Sequence, residues 1–347
     1  MMVAEYLEKL EARIDLDWLD QVRAGYRRVF AWETCEELPY IYGQMPPVED
    51  EDWPAFAYND AFVDREKMLL DQLRPVYLSA QARDYRAPAI RCNYGTVILP
   101  SILGGDWQLT EMSLPWAHHL PDRDAIRALI DRGVPDSRSG LGGACFDTAS
   151  YYLETLLSYE KLSSAVMLFH PDLQGPFDVA HLLWGPDIFV AMYDCPGLVH
   201  TLMDLVVETY VGWLLEWKAL VGEGNDWTAH WRSLMRGGAM LRNDTPVMIS
   251  SEQYREFVKP YDQRVLDVFG GCVHFCGSGK PFLDDMATSE HLYALNMSQP
   301  DWNDMDAFWA LCQEHRLVVL EMDEAWVPEG MRMGVTVVRD YGLVASQ

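Results

Sequence analysis

This chain has few basic side chains, no even set of cysteines and no long apolar run. Its 347 residues include 27 Lys and Arg against 53 Asp and Glu, a formal net charge of −26 at pH 7. Such a charge repels phosphate backbones and anionic lipid surfaces, which argues against nucleic-acid binding. No stretch approaches the roughly 18 apolar residues of a membrane span, and the N-terminus lacks the basic-then-apolar order of a secretory signal. We therefore expect a cytoplasmic protein that does not enter a membrane.

Two further absences narrow the function. The seven cysteines are odd in number and widely spread, which favours free thiols or metal ligands over a disulfide framework. No G-x-G-x-x-G follows a candidate strand, and the run from Gly277 to Lys280 fails as a phosphate loop because Pro281 replaces the required Ser or Thr. The sequence therefore predicts no nucleotide site. With 49% hydrophobic residues, the chain can still bury a large core.

The N-terminal part of the chain, residues 1–85, is predicted to be helical. Apolar residues at helical spacing indicate one or two amphipathic helices over residues 3–30 and another over 64–81. Between Glu33 and Glu66 lie ten acidic side chains and one basic one, interleaved with prolines, which indicates a solvated excursion. We expect this acidic segment to pack on the rest of one structural domain. Its helices either cap the bottom of that domain or form a homodimer seam.

Residues 86–347 alternate short apolar runs with stretches of helical period. Residues 87–103 are predicted as the first core strand, and later strands are predicted at 165–170, 238–244, 272–277, 292–297 and 317–322. This alternation implies parallel strands with crossover helices. The predicted fold is α/β, a (β/α)8 TIM barrel with an extra helical, acidic N-terminal segment. A doubly wound sheet is the alternative, which the missing dinucleotide motif disfavours.

Two of the predicted helices flank the candidate functional residues in the sequence. Asp194 is expected to cap a helix that Pro196 opens. Ser250 and Gln253 have the spacing of a capping box for the next one.

The densest group of metal-binding residue types is Cys272, His274 and Cys276. Residues two apart in a strand share a face, and a His-x-Cys pair can converge on one zinc ion at about 2.0 to 2.3 Å. Cys272 lies about 13 Å from Cys276 along an extended strand, so all three are not expected on one ion. The alternative is a set of buried core side chains. The sequence thus nominates His274 and Cys276 as zinc ligands.

Two further clusters follow predicted strands. Arg242, Asn243 and Asp244 form either ordinary turn chemistry or a group that orients a substrate and protonates a leaving group. Glu321, with Asp323 as its substitute, is either an oxygen ligand completing the metal site or part of a solvated acidic turn.

From about residue 101 to 323, the order of motifs resembles the uroporphyrinogen decarboxylase superfamily, and particularly its zinc-dependent, corrinoid-linked methyltransferases. The matching pieces are Ile102-Leu103-Gly104 with Pro115-Trp116, Gln174-Gly175-Pro176-Phe177-Asp178 running to Trp184-Gly185, Asp194-Cys195-Pro196-Gly197, Asn243-Asp244 before Ser250-Ser251-Glu252, Phe257-Val258-Lys259-Pro260-Tyr261, and His274-Phe275-Cys276-Gly277. The resemblance implies a (β/α)8 barrel.

The resemblance also implies a chemistry. In these methyltransferases the His-x-Cys pair binds zinc, which holds a thiol or similar acceptor for attack on a methyl group carried by cobalamin. His274 and Cys276 match that pair, whereas the family's later cysteine ligand has no counterpart here, so Glu321 is nominated in its place. The corrinoid is expected on a partner protein, because the chain has no room for a corrinoid domain.

The remaining predicted residues would handle small-molecule substrates. Asn243 and Asp244 are the predicted catalytic pair. Tyr94, Gln174 and Arg242 are the predicted substrate-binding residues.

Two other functions remain open at this stage. A metal-free lyase of the decarboxylase type would bind carboxylates through Arg242 and Lys280 and move a proton through Asp244. The loop Asn93-Tyr94-Gly95-Thr96 lacks the Asp that the resemblance demands for porphyrinogen decarboxylation. A binding protein that retains the barrel and delivers a ligand is the third reading.

Overall fold

The computed structural model describes residues 2–44, 52–110 and 114–340. The helices in these ranges are α1 (Met2–Arg13), α2 (Leu16–Phe30), α3 (Tyr58–Val63), α4 (Arg65–Ala82), α5 (Ile98–Ile102), α6 (Arg123–Asp131), α7 (Leu141–Leu156), α8 (Glu160–Ala165), α9 (Pro176–Trp184), α10 (Asp187–Asp194), α11 (Pro196–Val221), α12 (Ser251–Phe257), α13 (Lys259–Phe269), α14 (Leu283–Ala287) and α15 (Met305–His315). The strands are β1 (Tyr40–Tyr42), β2 (Ala89–Ile90), β3 (Trp107–Gln108), β4 (Trp116–Ala117), β5 (Met167–Leu168), β6 (Trp227–His230), β7 (Ser233–Arg236), β8 (Ala239–Arg242), β9 (Gly271–Phe275), β10 (Leu292–Met297), β11 (Val318–Asp323) and β12 (Val335–Arg339).

Parallel strands form the centre of the fold. Six of them make one sheet in the order β1-β12-β11-β10-β9-β8, and β2 pairs with β5 separately. Backbone hydrogen bonds of 2.8 Å connect the segments flanking this pair to the edge strands of the large sheet: Tyr85, before β2, donates to Tyr40, and Gly175, after β5, donates to Arg242. The α/β class is confirmed. In the described ranges, however, the strand ladders do not close into a barrel.

Buried side chains bridge the two edges where ladder bonds are missing. Past the end of β5, His170 Nε2 accepts from the backbone N–H of Met240 in β8 at 3.1 Å. Burial lowers the pKa of His170 to about 4, so the ring is neutral and its Nε2 can accept. At the other edge, Asp84 Oδ2 accepts from the N–H of Tyr42 in β1 at 3.1 Å. Each bridge satisfies a strand N–H that would otherwise be buried unpaired.

The N-terminal helices lie close to where the periodicity predicts them. α1 and α2 fall within residues 2–30, and α4 begins after Asp64, whose carboxylate accepts from the N–H groups of Glu66 and Lys67. The capping box of Ser250 and Gln253 is present. The predicted cap at Asp194 is wrong: α11 is preceded by Cys195, and the Asp194 carboxylate pairs with Arg123 at 3.0 Å.

Three strand predictions need correction or addition. The segment 87–103 contains only the two-residue β2, and Ile98 and Ile102 further on belong to helix α5. The N-terminal 85 residues contribute a strand as well as helices, because β1 pairs in parallel with β12. β1, β12 and the antiparallel hairpin β6–β7 were not predicted, since three- to five-residue runs carry little periodicity. The acidic residues at 49–51 lie outside the described residues.

The longest helix, α11, lies in the core. It packs against α7, α9 and α13, and its Trp213 and Trp217 rings stack at 5.4 Å. Among the described residues it is the one helix long and apolar enough to cross a membrane, and 56% of its most apolar window is buried inside the fold. Its apolar surface is therefore that of a core helix.

Candidate metal centre

The site begins with two neighbouring strands of the large sheet. β8 and β9 pair in parallel, with Arg242 opposite His274. The residues that follow β8 and β9 consequently emerge at the same edge, the carboxyl end of the strands. Asp244 follows β8 and Cys276 follows β9. The register alone thus brings a carboxylate, an imidazole and a thiol together.

These three side chains have the spacing of a metal-binding set. His274 Nε2 lies 3.4 Å from Cys276 Sγ and 3.6 Å from Asp244 Oδ1, and the three ligand atoms all lie within 4.8 Å of one another. Two ligands at about 2.0 to 2.3 Å from a zinc ion, at the tetrahedral angle, are about 3.5 Å apart. The side chains therefore fit a zinc ion.

His274 is oriented for coordination by its neighbour on β10. Its Nδ1 lies 2.6 Å from Asn296 Oδ1. The amide of Asn296 is itself fixed, because its Nδ2 donates to the carbonyl of Leu320 at 2.8 Å. Nδ1 must then carry the ring proton and donate it, which leaves the Nε2 lone pair directed at Cys276 and Asp244. Metal-bound histidines are commonly held in this way.

Without a metal, the surroundings of His274 and Cys276 favour the neutral form of both side chains. Burial lowers the pKa of His274, and the nearby Arg242 guanidinium acts in the same direction. Burial also raises the pKa of the Cys276 thiol. The side chains are therefore neutral near pH 7, and a divalent cation is the partner that would favour the thiolate.

Asp178, a residue with no role predicted for it, holds the loop that carries Asp244. Its Oδ1 accepts from the N–H of Asp244 at 3.2 Å and from the N–H and Oγ1 of Thr245 at 2.8 Å each. Asp178 is buried on α9. The Asp244 oxygen in turn accepts from the N–H of Cys276 at 2.8 Å. Both loops are thus tied together before any ligand binds.

Asn243, predicted as catalytic, lies in a buried pair instead of in the cluster. Its Nδ2 donates to Asp262 Oδ2 at 2.5 Å. The other side-chain oxygens of Asn243 and Asp262 have no partner among the described residues. Burial raises the pKa of Asp262 to about 7. A proton on Asp262 would supply the donor that these acceptors lack.

The predicted substrate residues Arg242 and Gln174 meet on a carboxylate that sequence reasoning missed. Arg242 Nε lies 2.6 Å from Asp172 Oδ1, and Gln174 Nε2 donates to the same oxygen at 3.1 Å. Arg91 Nη1 donates to Asp172 Oδ2 at 3.2 Å. All four side chains are largely buried, so Arg242 and Gln174 belong to a buried polar network around Asp172.

Tyr94, the third predicted substrate residue, lies elsewhere. Its hydroxyl is 2.7 Å from Thr148 Oγ1. It lines a separate open cavity of about 740 Å³ at the start of α4. The structure therefore does not bring Tyr94 to the cluster.

Glu321 does not join the three ligand atoms either. Its Oε2 is 2.7 Å from Arg232 Nε, and its Oε1 accepts from Ser233 Oγ at 2.6 Å. The hairpin β6–β7 supplies both donors, and the sequence, which does not predict this hairpin, gives no sign that Glu321 is engaged there. Its substitute Asp323 caps the turn at Ala325. In place of these residues, Asp244 provides the carboxylate of the cluster.

Cys272, the upstream cysteine of the same strand, also lies outside the cluster. Its thiol faces the Arg236 carbonyl at 3.7 Å and is fully buried. This agrees with the expectation that Cys272 and Cys276 do not share an ion.

The hairpin turn places Trp231 beside the cluster. The Trp231 ring centroid is 6.1 Å from that of His274, and the Arg242 guanidinium lies 4.2 Å from the Trp231 ring. Trp231, Arg242 and His274 all line a small cavity of about 10 Å³, which has room for about one water molecule. The two-residue turn Trp231-Arg232 lacks the Gly or Asn that marks such hairpins in a sequence, which explains why it was missed.

Comparison with known proteins yields a fold likeness. The sequence matches no family model and no curated protein. Among solved structures, a methyltransferase from Methanosarcina mazei is similar, with a TM-score of 0.62 and 15% identity over 92% of this chain and 93% of that chain. At this identity the likeness shows the fold alone. It fits the TIM-barrel-like arrangement of parallel strands and helices, and it spans the chain nearly end to end.

Proposed function

We propose that this protein is a methyltransferase in which a zinc ion bound by Asp244, His274 and Cys276 activates a thiol or similar acceptor. The observation that carries the proposal is the spacing of the three ligand atoms, 3.4 and 3.6 Å from His274 Nε2. The fold likeness to a methyltransferase supports the same reaction class.

The number of ligands supports a catalytic site over a structural one. Structural zinc sites are closed by four protein ligands, whereas catalytic sites use three and keep one position for a substrate. Among the described residues, the cluster offers one sulfur, one nitrogen and one oxygen ligand, which would leave that position for a substrate. Zinc would supply the positive charge that keeps an acceptor thiol ionised near neutral pH.

The chain's own residues would arrange the acceptor. Asn296 fixes the His274 ring, and Asp178 fixes the loop of Asp244. Trp231, with the Arg242 guanidinium 4.2 Å from its ring, lies beside His274 and would limit the access of water to an ion bound there. The proposed methyl donor is a corrinoid presented by a partner protein. The chain's net charge of −26 would suit a basic surface on such a partner.

The described residues do not favour the metal-free lyase. Arg242 is already paired with Asp172. Lys280 lines a different groove, with Trp302 and Asp304. Arg242 is therefore not free to anchor a substrate carboxylate, and Asp244 does not line the groove of Lys280.

Acceptor binding tests the proposal without a known methyl donor. In the cobalt(II)-substituted protein, addition of dithiothreitol is expected to raise the sulfur-to-cobalt charge-transfer absorption, because a thiolate takes the open position. The same protein loaded with zinc is expected to speed the loss of methylcobalamin in the presence of the thiol.

Two variants separate the site from the rest of the chain. Cys276→Ser is expected to lose both signals. Cys195→Ser, which changes a partly exposed cysteine outside the cluster, is expected to keep them. Equal signals from the parent and Cys276→Ser would contradict the proposal.

A further inference from the structure

A second cavity lies on the other side of Trp231, and its lining is basic. It has a volume of about 230 Å³ and is lined by Arg86, Arg91 and Arg232, with Trp231, Phe169 and Gln72 among its other walls. Three guanidinium groups around one cavity are unexpected in a chain of net charge −26. Arginine carries a fixed charge and a planar set of donors that matches a carboxylate.

The arginines in and beside this cavity outnumber the carboxylates with which they form ion pairs. Its three arginines and the neighbouring Arg242 lie opposite three carboxylates, in the groups Arg86 with Asp84, Arg91 and Arg242 with Asp172, and Arg232 with Glu321. The adjacent histidines add no charge, because burial lowers the pKa of both His170 and His230. The basic lining therefore favours an anionic ligand over a neutral one of the same shape.

Arg86 has donor capacity that the protein does not use. Its nearest carboxylate, Asp84, is 4.0 Å away and already accepts from Ser79 Oγ and from the backbone N–H of Tyr42. The Arg86 Nε is buried and has no hydrogen-bond partner among the described residues. A buried guanidinium N–H without an acceptor is costly, so the position favours an anionic ligand.

Trp231 connects this cavity to the candidate metal centre. It lines both the basic cavity and the small cavity beside His274. Its φ of 53° lies in the left-handed region, which a bulky residue rarely adopts. Arg91 and Arg242 guanidinium groups lie 5.9 and 4.2 Å from its ring. Trp231 thus contributes to both cavities from a backbone conformation that is unusual for its residue type.

We propose that the cavity formed by Arg86, Arg91 and Arg232 binds the carboxylate of a ligand whose apolar part lies against Trp231. The evidence for carboxylate binding is the cavity itself and does not depend on the proposed function. The statement that this ligand is the substrate of methyl transfer rests on the proposed function.

Calorimetric titration with benzoate tests the carboxylate site. Benzamide is the neutral control of the same shape, and inorganic phosphate is the competing anion. Each titration is run at low ionic strength on metal-free protein and again with zinc, so that coordination of benzoate to zinc is separated from binding at the arginines. Failure of zinc to bind would leave the metal-free titration interpretable.

The variants Arg86→Gln and Arg232→Gln are expected to weaken benzoate binding about tenfold or more, because each removes a charged hydrogen-bond donor. Asp84 keeps its other donors in the first variant, and Glu321 keeps Ser233 in the second. Arg127→Gln, an exposed change on α6, is the matched control and is expected to bind as the parent does.

Three results would overturn the proposal. The first is equal affinity for benzoate and benzamide in the metal-free parent. The second is benzoate affinity unchanged in both arginine variants. The third is tighter binding of phosphate than of benzoate, which would assign the cavity to a different anion.

Discussion

The most informative single substitution is Asn296→Ala, because Asn296 touches the metal centre only through His274. Its amide oxygen lies 2.6 Å from His274 Nδ1 and fixes which ring nitrogen carries the proton. Without it, the ring is free to rotate and to place the proton on Nε2, the nitrogen that would bind zinc. Loss of such an outer partner typically weakens metal affinity by about 10- to 100-fold. This corresponds to about 1.4 to 2.7 kcal/mol of binding free energy.

The measurement is a zinc competition titration against a chromophoric chelator at fixed pH. Asn296→Asp keeps an acceptor for Nδ1–H, so we expect it to retain at least the parent affinity. Asn225→Ala removes an exposed amide that donates to the Val268 carbonyl, and it serves as the control for loss of an asparagine. A zinc affinity of Asn296→Ala within twofold of the parent, in folded protein, would refute the assigned role.

Three further predictions test separate parts of the structure. Burial raises the pKa of Asp262 to about 7, so the folded state retains a proton that the unfolded chain releases near pH 4. The free energy of unfolding should then fall by up to about 1.4 kcal/mol per unit as the pH rises from 4 to 7. Asp262→Asn should remove that slope in urea unfolding, and an unchanged slope would contradict the prediction. Ser250→Ala should lower the unfolding free energy by about 1 kcal/mol through loss of the capping box, and no loss would show that the cap is not formed. Glu321→Gln should leave zinc content unchanged, because Arg232 and Ser233 hold that carboxylate, whereas zinc loss would restore Glu321 as a ligand.

Part of the fold could be predicted from local patterns in the sequence. Helical spacing located α1, α2 and α4, and the strand–helix alternation indicated parallel strands. The short strands β1 and β12 were missed because their pairing depends on residues about 300 positions apart. Such pairings leave no periodic signal in either segment.

The candidate metal centre could likewise be predicted only in part from the sequence. His274 and Cys276 were found from their spacing, which is a local property. The choice of Asp244 over Glu321 depends on two long-range facts, the register of β8 on β9 and the donors of the β6–β7 hairpin. A carboxylate after a strand has the same appearance in a sequence whether it faces a metal or an arginine.

The basic cavity could not be predicted from the sequence either. Its arginines come from the residues before and after β2 and from the hairpin turn, so no cluster appears along the chain. Only the packing of these segments around Trp231 brings the charges together.

Zinc content tests the central claim most directly. The purified parent, prepared without chelators, is compared by elemental analysis with His274→Ala, Cys276→Ala and Asp244→Ala, with Cys195→Ser as the control. We predict about one zinc per chain in the parent and the control and its loss in the three site variants. A folded parent that binds no zinc, or site variants that retain it, would contradict the zinc centre and the function built on it.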